Sequence, residues 1–327
     1  MHLAHTTTRR IGVLMGGWGE ERDISIKSGE AIVQALEAGG HDVVRVLAGP
    51  GLDQTLRNAR IDVAVLALHG RMGEDGKVQG LLEVMGIPYT GSGTLAAALA
   101  MHKGMTKKVL RQHNLATPTG YLVATAELDA LDARHGDLGF PCVVKPARGG
   151  SSVGLSVVTT RDGLRAAVAE ACRYGGEAMV ERYVKGREVT VAVLNGRVLG
   201  TCEIAHGRAA FDAAAKYEGG VKYHLPARLS ETRLANVESM ALAAVQALGC
   251  RGAVRVDFIC SDTLNDVVLE LNTTPGMTPT SLFPKIAAKA GIPFPMLCEA
   301  IVAGAQLESA PLVDVAPSAE ALQRAAS

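Results

Sequence analysis

Residues 267–277 read Val267-Val268-Leu269-Glu270-Leu271-Asn272-Thr273-Thr274-Pro275-Gly276-Met277, an apolar run that carries a carboxylate and an amide before a Pro-Gly turn. An apolar run of this length, ended by a Pro-Gly pair, is typical of a β-strand. Side chains alternate along a strand, so Glu270 and Asn272 point to the same face. We therefore expect these two polar groups to reach one site together.

A second apolar run lies just upstream, where residues 252–258 read Gly252-Ala253-Val254-Arg255-Val256-Asp257-Phe258. Arg255 and Asp257 share one face of that run by the same alternation. Carboxylate and amide oxygens suit Mg²⁺, a hard cation that proteins often hold with one or two carboxylates and substrate phosphates. We expect two adjacent strands that form a magnesium site, with the arginine facing negative charge that the metal leaves uncovered.

The alternation also fits a plainer interpretation. Charged side chains alternate on the solvent face of an antiparallel sheet, and either run alone fits that description about equally well. The further motifs of the chain favour the site, because they add phosphate-binding and carboxylate groups to the same protein.

The composition describes a soluble globular protein of two or three domains. The chain has 327 residues, of which 48% are hydrophobic and 20% are charged, and this length exceeds the usual size of a single core. Its 33 basic and 33 acidic residues balance, so no general field attracts nucleic acid or an anionic membrane. Phosphate binding must therefore be local, and we expect no nucleic-acid or membrane partner.

The cysteines indicate a reducing compartment. Six are scattered without C-x-x-C spacing, and we interpret them as buried free thiols rather than as disulfides or metal ligands. No apolar h-region follows Arg9 and Arg10, so we expect no signal peptide, and we find no apolar run of about 18 residues in the sequence. We expect the protein to be cytoplasmic.

The amino-terminal part has the pattern of an α/β unit with a parallel sheet. A strand at 11–15 leads through a glycine turn into a helix at 24–38, the opening of such a unit. Further strands are predicted at 43–47 and 62–68, and helices at 78–85 and 95–110. A nicotinamide site is disfavoured, because residues 16–21 do not match G-x-G-x-x-G.

The rest of the chain alternates less regularly. Strands at 142–145, 155–158 and 178–183 with a helix at 162–174 indicate a small α+β unit. An Asn195-Gly196 pair between apolar runs at 189–194 and 198–204 predicts an antiparallel hairpin. Residues 206–226 lack periodicity and are predicted to form a long functional loop, or lid. A helix at 231–248 and two short helices complete the fold.

Lys145 ends a predicted strand and is followed by the Gly/Ser-rich residues 148–154. Backbone N–H groups of such a loop can surround a polyphosphate, and the lysine adds a positive charge. The loop is not a Walker A sequence, and alone it also fits an ordinary hairpin turn. Lys103 likewise fits either a phosphate ligand or a surface lysine.

Two further groups of residues have two interpretations each. Glu181, Tyr183, Val184 and Glu188 form either a strand edge that holds a nucleoside or an exposed hinge. Glu21 and His69 follow β-strands or turns at the carboxyl edge of a parallel sheet, where ligands gather. Glu21 could instead be a carboxylate at a helix N-terminus that interacts favourably with the helix dipole. His69 could be a turn residue that bonds only to the backbone.

These motifs, in order and spacing, resemble the D-alanine:D-alanine ligases of the ATP-grasp superfamily from about residue 10 to residue 305. The matching stretches are Gly16-Gly17, Glu21 to Ser25, Ala67 to Gly70, Gly73 to Gly76, Ile87 to Gly93, Val144 to Pro146, Gly150 to Gly154, Ala215 to Tyr217 and Glu270 to Thr278. The resemblance implies an α/β protein of three domains, with ATP held between the central and carboxy-terminal sheets.

The resemblance also implies domain boundaries and residue roles. The domains would be 1–103, 104–187 and 188–312 with the lid at 206–226, followed by a tail at 313–327. ATP would be held by Lys103, Lys145, Ser152, Glu181, Tyr183, Val184, Glu188 and Lys216, and two Mg²⁺ ions, or Mn²⁺, by Asp257, Glu270 and Asn272. Glu21 would bind the ammonium of the first D-alanine, with His69 nearby. Ser151 and Tyr217 would form hydrogen bonds with Glu21 and so hold the lid closed. The second D-alanine would meet Ser281 and Leu282, and Arg255 with the backbone of Gly276 would stabilise the oxyanion.

The activity so implied is ATP-dependent ligation of two D-alanines through a D-alanyl phosphate, for peptidoglycan precursors. D-Alanine would be both substrates and a homodimer the expected assembly, with monovalent-cation activation left open. The alternative within the superfamily is a ligase that forms D-alanyl-D-lactate or another acid–amine product. An inactive nucleotide-binding protein is disfavoured, because such a scaffold would need no metal ligands.

Overall fold

The structure, a computed structural model, describes residues 9–19, 21–150, 153–205 and 221–308. The predictions for Ser151, Ser152, Lys216 and Tyr217, for most of the lid and for the tail therefore lie outside the described residues.

The described residues form strands and helices that we number in chain order. The strands are β1 (Arg10–Gly16), β2 (Asp42–Ala48), β3 (Val63–Leu66), β4 (Gly120–Ala124), β5 (Cys142–Pro146), β6 (Ser156–Val158), β7 (Glu177–Arg182), β8 (Arg187–Leu194), β9 (Arg197–Ala205), β10 (Lys222–His224), β11 (Ala253–Cys260) and β12 (Val267–Asn272). The α-helices are α1 (Arg22–Ala38), α2 (Leu52–Ala59), α3 (Lys77–Met85), α4 (Thr94–Met101), α5 (Lys103–Gln112), α6 (Leu131–His135), α7 (Arg161–Cys172), α8 (Glu231–Ala247), α9 (Leu282–Lys289) and α10 (Phe294–Ala303).

The first sheet is parallel, as predicted. Its strand order is β2-β1-β3, and all of β1 after Arg10 is buried because it lies in the middle. Gly16 and Gly17 have φ values of 88° and 93°, which a residue with a side chain rarely adopts. This turn directs the chain from β1 into α1 and places Glu21 at the carboxyl edge of the sheet.

The second sheet is antiparallel, with order β4-β7-β5-β6. Helix α7 packs on it through Leu164, Val168 and Ala171, which matches the predicted α+β unit. Strand β4 was not predicted, and it pairs with β7 at the edge of the sheet. The Gly/Ser-rich loop joins β5 to β6, which pair as a hairpin.

The third sheet has five antiparallel strands in the order β10-β9-β8-β11-β12. The predicted hairpin is confirmed, since β8 pairs with β9. Asn195 and Gly196 both have positive φ, at 49° and 76°, as a two-residue type I′ turn requires. Strands β11 and β12, which carry the acidic residues, also pair antiparallel.

Two sequence predictions differ from the structure. The single helix predicted at 95–110 is wrong, because His102 is extended, at φ −100° and ψ 95°, and forms a β-bridge with Arg148. Two helices, α4 and α5, result. The end of the predicted lid is not a loop, since Lys222–His224 form strand β10 along β9.

Helices α4 and α5 share a core with the third sheet. Ala96, Ala100 and Leu110 belong to the same buried cluster as Val256 and Phe258 of β11. This packing turns the opposite side of α5, with its lysines, toward the second sheet. Among the described residues, no single helix is long and apolar enough to span a membrane, and only the pair α9 and α10, bent by 104°, meets the criterion together.

Candidate active site

A cleft of about 1410 Å³ lies between the second and third sheets and reaches the edge of the first. It is lined by every predicted site residue that the structure describes: Glu21, His69, Lys103, Lys145, Glu181, Tyr183, Val184, Glu188, Arg255, Asp257, Glu270, Asn272, Gly276, Ser281 and Leu282. Residues of the second and third sheets, and of the loops and the helix that follow strands of the first sheet, thus face one space.

The four polar residues of β11 and β12 lie directly opposite one another. Arg255 pairs with Asn272 and Asp257 pairs with Glu270 in the register of the two strands. Paired residues on one face of an antiparallel ladder have Cβ atoms about 5 Å apart. The expected convergence of two carboxylates, an amide and a guanidinium is therefore present.

Arg255 is held against Asp257 by two hydrogen bonds. Its Nε donates to Oδ1 and its Nη2 to Oδ2, both at 2.9 Å, and Thr190 Oγ1 also donates to Asp257 Oδ1 at 2.6 Å. Burial alone would lower the pKa of Arg255, but the charge of Asp257 outweighs it and raises the pKa. The guanidinium is a fixed, permanently charged donor at the floor of the cleft.

Glu74 is a site residue to which the sequence reasoning gave no role. With the Asn272 amide oriented to satisfy both neighbours, its nitrogen donates to Glu74 Oε1 at 3.0 Å and its oxygen accepts from Arg255 Nη2 at 3.2 Å. Gly70 N–H donates to Glu74 Oε2 at 2.7 Å. Burial, with the nearby charge of Glu21, raises the pKa of Glu74 to about 8. Glu74 thus sets which end of the Asn272 amide faces the arginine.

The donors fit a hard cation, with part of the coordination shell left to other ligands. Asp257, Glu270 and Asn272 supply oxygens from two adjoining strands, the ligand type that Mg²⁺ takes. Within the described ranges, no three His, Cys, Asp or Glu side chains surround one metal position. Phosphate oxygens of a nucleotide would have to complete the shell.

The side of the cleft that faces β11 and β12 carries two lysines. Lys145 belongs to β5 of the second sheet, and Lys103 is the first residue of α5. Lys103 Nζ donates to the carbonyl of Gly149 at 2.6 Å and lies 3.3 Å from Glu270 Oε2. Lys145 Nζ lies 2.5 Å from Glu181 Oε1. Burial would lower the pKa of Lys145, but the charges of Glu181 and Glu270 raise it. Two cations thus border the Gly/Ser-rich loop, as a polyphosphate site requires.

Glu181 lines the cleft, but its carboxylate binds lysines. Oε1 contacts Lys145, and Oε2 lies 2.7 Å from Nζ of Lys107. Burial alone would raise the pKa of Glu181, but the charges of the two lysines lower it to about 2. Contacts from Glu181 to a nucleoside would therefore come from its backbone. The other residues predicted to hold the nucleoside also line the cleft: Tyr183, Val184 and Glu188.

Glu21 and His69 lie at the end of the cleft nearest the first sheet. Ser28 Oγ accepts from Met277 N–H at 3.2 Å and lies 3.3 Å from His69 Nε2, within hydrogen-bonding distance. Burial lowers the pKa of His69 to about 4, which leaves the ring neutral at physiological pH. Sequence reasoning missed Ser28, which is a buried helix residue without a motif of its own.

Gly276, Ser281 and Leu282 form another subsite beside the Pro-Gly turn. Thr278 N–H donates to Ser281 Oγ at 3.1 Å, and a Cβ on Gly276 would lie 2.8 Å from the same oxygen. Leu282 begins α9, whose first N–H groups lack partners within the helix. Such a helix start favours a carboxylate.

The arrangement combines groups that activate a carboxylate with groups that receive a small amino acid. Lysines and a glycine-rich loop can hold a polyphosphate, and oxygen ligands can hold its metal. A fixed guanidinium can stabilise an oxyanion. Glu21 at one end and the start of α9 at the other can hold an ammonium and a carboxylate.

Two stretches of the chain match known families. Residues 120–303 match the family described as D-ala D-ala ligase C-terminus, and residues 46–92 match D-ala D-ala ligase N-terminus. The chain is 49% identical over 304 residues to the D-alanine–D-alanine ligase of Anaeromyxobacter sp. (strain Fw109-5), covering 93% of this chain and 99% of that one. It is 46% identical over 303 residues to that of Trichlorobacter lovleyi, covering 92% and 96%.

Solved structures share the fold. The D-alanine–D-alanine ligase from Bacillus anthracis complexed with ATP has a TM-score of 0.79 and 35% identity, covering 90% of this chain and 97% of that chain. The VanG D-Ala:D-Ser ligase from Enterococcus faecalis has a TM-score of 0.79 and 27% identity, covering 91% and 99%. The backbone is equally similar to ligases named for different second substrates.

Proposed function

The chain belongs to the D-alanine–D-alanine ligase family, and from that membership we propose how its own residues carry out ATP-dependent joining of two D-alanines. The observation that supports this proposal most strongly is the pairing of Arg255 with Asn272 and of Asp257 with Glu270 in one cleft. A ligase of this type needs both a metal–phosphate site and an oxyanion donor. These two strands offer both at the same place.

The first step activates a carboxylate. An oxygen of the first D-alanine attacks the γ-phosphorus of ATP, the bond to the bridging oxygen of ADP breaks, and D-alanyl phosphate forms. Glu21 would hold the ammonium of this substrate, with neutral His69 beside it. Lys103 and Lys145 would offset charge on the transferred phosphoryl group.

The second step forms the peptide bond. The unprotonated amine of the second D-alanine attacks the acyl carbon, phosphate leaves with the electrons of the C–O bond, and the nitrogen loses a proton. Ser281 and Leu282 would hold the carboxylate of this substrate. Arg255 and the Gly276 N–H would face the oxyanion of the tetrahedral intermediate, where fixed donors matter most.

Asp257, Glu270 and Asn272 would hold two Mg²⁺ ions, or Mn²⁺, which neutralise phosphate charge when bound. Glu74 would hold the Asn272 amide nitrogen, so that the amide oxygen, which accepts from Arg255 Nη2, also has a lone pair for an ion. Tyr183, Val184 and Glu188 would hold the adenosine.

The remaining assignments rest on the resemblance. We propose domains at 1–103, 104–187 and 188–312, with a tail at 313–327. Ser151, Tyr217 and Glu21 would latch the lid over the acyl phosphate and keep water from it, and Ser152 and Lys216 would contact ATP phosphates. A homodimer in the cytoplasm is the proposed form of the protein. In support of that compartment, the six cysteines are all free and buried, as suits a reducing environment.

Phosphate release should require D-alanine and Mg²⁺ together and should match dipeptide formation in amount. We expect turnover of MgATP with D-alanine, and none with L-alanine alone, because the two amino-acid subsites are chiral. D-Lactate and D-serine, each mixed with D-alanine, test the second subsite, with products separated by chromatography. Phosphate release that ignores the configuration of alanine would contradict the proposal.

Gly70→Ala should weaken use of D-alanine without weakening ATP binding. A Cβ at Gly70 would lie 2.2 Å from Glu21 Oε2, so the Glu21 carboxylate must move. We expect the KM for D-alanine to rise by roughly tenfold, which corresponds to about 1.4 kcal/mol. Steady-state kinetics at saturating ATP measure it.

Gly86→Ala is the matched control. Gly86 has the same φ of 67° as Gly70, but a Cβ there would meet nothing within 4 Å. Both variants should lose stability, by about 1 kcal/mol from the left-handed backbone. An equal rise in the KM for D-alanine in both would assign the effect to backbone strain and not to Glu21.

A further inference from the structure

Lys107, to which the proposed mechanism gives no role, forms a buried charged triad with Glu181 and Lys145. Lys107 Nζ lies 2.7 Å from Glu181 Oε2, and Lys145 Nζ lies 2.5 Å from Glu181 Oε1. The side chains of Lys107, Glu181 and Lys145 are only 1%, 3% and 8% exposed. One carboxylate is thus shared by two ammonium groups away from water.

The Lys107 ammonium is held in place on the side of Glu181 away from the cleft. Besides Glu181, it donates to Thr117 Oγ1 at 2.8 Å and to the Pro118 carbonyl at 3.4 Å. An ammonium has three donors, and these three acceptors use them all. Lys103 and Lys107 are four residues apart on α5, so one face of the helix carries both.

The net charge of the triad matters because its members are buried. Two lysines and one glutamate sum to +1, and Lys145 and Glu181 line the cleft whereas Lys107 does not. The charges of the two lysines lower the pKa of Glu181 to about 2. Burial lowers the pKa of Lys107 to about 8, against the opposing charge of Glu181. All three groups are therefore charged at neutral pH.

We propose that Lys107 is a positioning residue for ATP: it binds one oxygen of Glu181, so that Lys145 is only partly neutralised and keeps positive charge for the phosphates. Without Lys107, the Glu181 carboxylate would balance Lys145, and the net charge that these three residues contribute at the cleft would fall from +1 to zero. The inference rests on the proposed function, in which Lys145 contacts phosphate.

Lys107→Met tests the inference directly. Met is close to lysine in length and lacks the charge. We expect the Kd for ATP to rise by roughly 10- to 100-fold, the effect of one charge in a partly screened interior, while the KM for D-alanine changes less than threefold. Calorimetric titration with ATP in Mg²⁺ buffer measures the Kd. Lys108→Met, at the adjacent exposed position, should bind ATP as the wild type does.

A double variant separates charge from mere structural support. Lys107→Met combined with Glu181→Gln removes one charge of each sign, so the remaining charge is again +1 and no buried carboxylate lacks its partner. We expect its Kd for ATP to return to within about threefold of wild type. This variant also keeps the inference testable if Lys107→Met alone does not fold. A double variant that binds ATP at least tenfold more weakly than wild type would overturn the inference.

The outcomes also distinguish this inference from the proposed function. A wild-type protein that bound no ATP would overturn the proposed function. Normal ATP binding by the wild type, with the same affinity in Lys107→Met, would overturn only the role of Lys107.

Discussion

Arg255→Met is expected to lower turnover by roughly 10²- to 10³-fold, the usual loss for one oxyanion donor, while the Kd for MgATP stays within a few-fold of wild type. The guanidinium faces the proposed acyl centre. In the variant, Asp257 keeps the hydrogen bond from Thr190, so the metal ligand remains positioned. Single-turnover kinetics and a nucleotide titration on the same preparation measure the two quantities.

Arg233→Met is the control for loss of a paired arginine. Arg233 binds Asp266 through Nε, 3.1 Å from each carboxylate oxygen, and neither residue lines the cleft. We expect reduced stability and unchanged turnover per folded molecule. A comparable fall in turnover in Arg233→Met, or a fall of less than tenfold in Arg255→Met, would contradict the oxyanion role.

The arrangement of β11 and β12 could be predicted because it depends on local rules. The two-residue period of a strand places Glu270 with Asn272 and Arg255 with Asp257, and short connections between successive strands favour their pairing. The register, with Asp257 opposite Glu270, brings the pairs together. The Asn195-Gly196 turn was also predictable from a local rule, because Asn and Gly are the residues that most readily adopt the positive φ angles of this turn.

The break between α4 and α5 could not be predicted from periodicity. Residues 95–102, at the start of the predicted helix, contain no proline and no glycine. The break arises from tertiary contacts: His102 bridges to Arg148, and its Nε2 lies 3.3 Å from Glu177 Oε2. The consequence is functional, since the break sets the start of α5 and so directs Lys103 toward the Gly/Ser-rich loop.

The roles of Glu74 and Lys107 were missed because a charged residue is expected at the protein surface unless its buried partner is known. Lys107 is followed by exposed Lys108, and nothing in the sequence separates the two. Its partner Glu181 is distant in the chain, and burial follows only from their meeting. For Glu74, the stretch Gly73-Glu74-Asp75-Gly76 did mark the position, but its contact with Asn272 required the fold.

Glu270→Ala is expected to weaken metal–nucleotide binding and activity together, by roughly 10²-fold or more, since even loss of a metal's outer-shell partner costs about 10- to 100-fold. Glu270 lies opposite Asp257 and 3.3 Å from Lys103 Nζ, so its removal takes negative charge from the point where metal, phosphate and lysine would meet. Mn²⁺ titrations followed by electron paramagnetic resonance, with and without ADP, read metal binding apart from turnover.

Glu203→Gln is the control for Glu270→Ala, because Glu203 also lines the cleft but accepts from Arg228 Nε at 3.0 Å and Nη2 at 2.7 Å. Glu203 lies on β9, which β8 separates from β11, so it is outside the pair of strands that carries Asp257, Glu270 and Asn272. We therefore expect Mn²⁺ affinity within about twofold of wild type. Arg255→Met completes the comparison. If Arg255→Met and Glu270→Ala bound MgATP with equal affinity, the division of β11 and β12 into an oxyanion donor and metal ligands would be wrong, whatever their turnover.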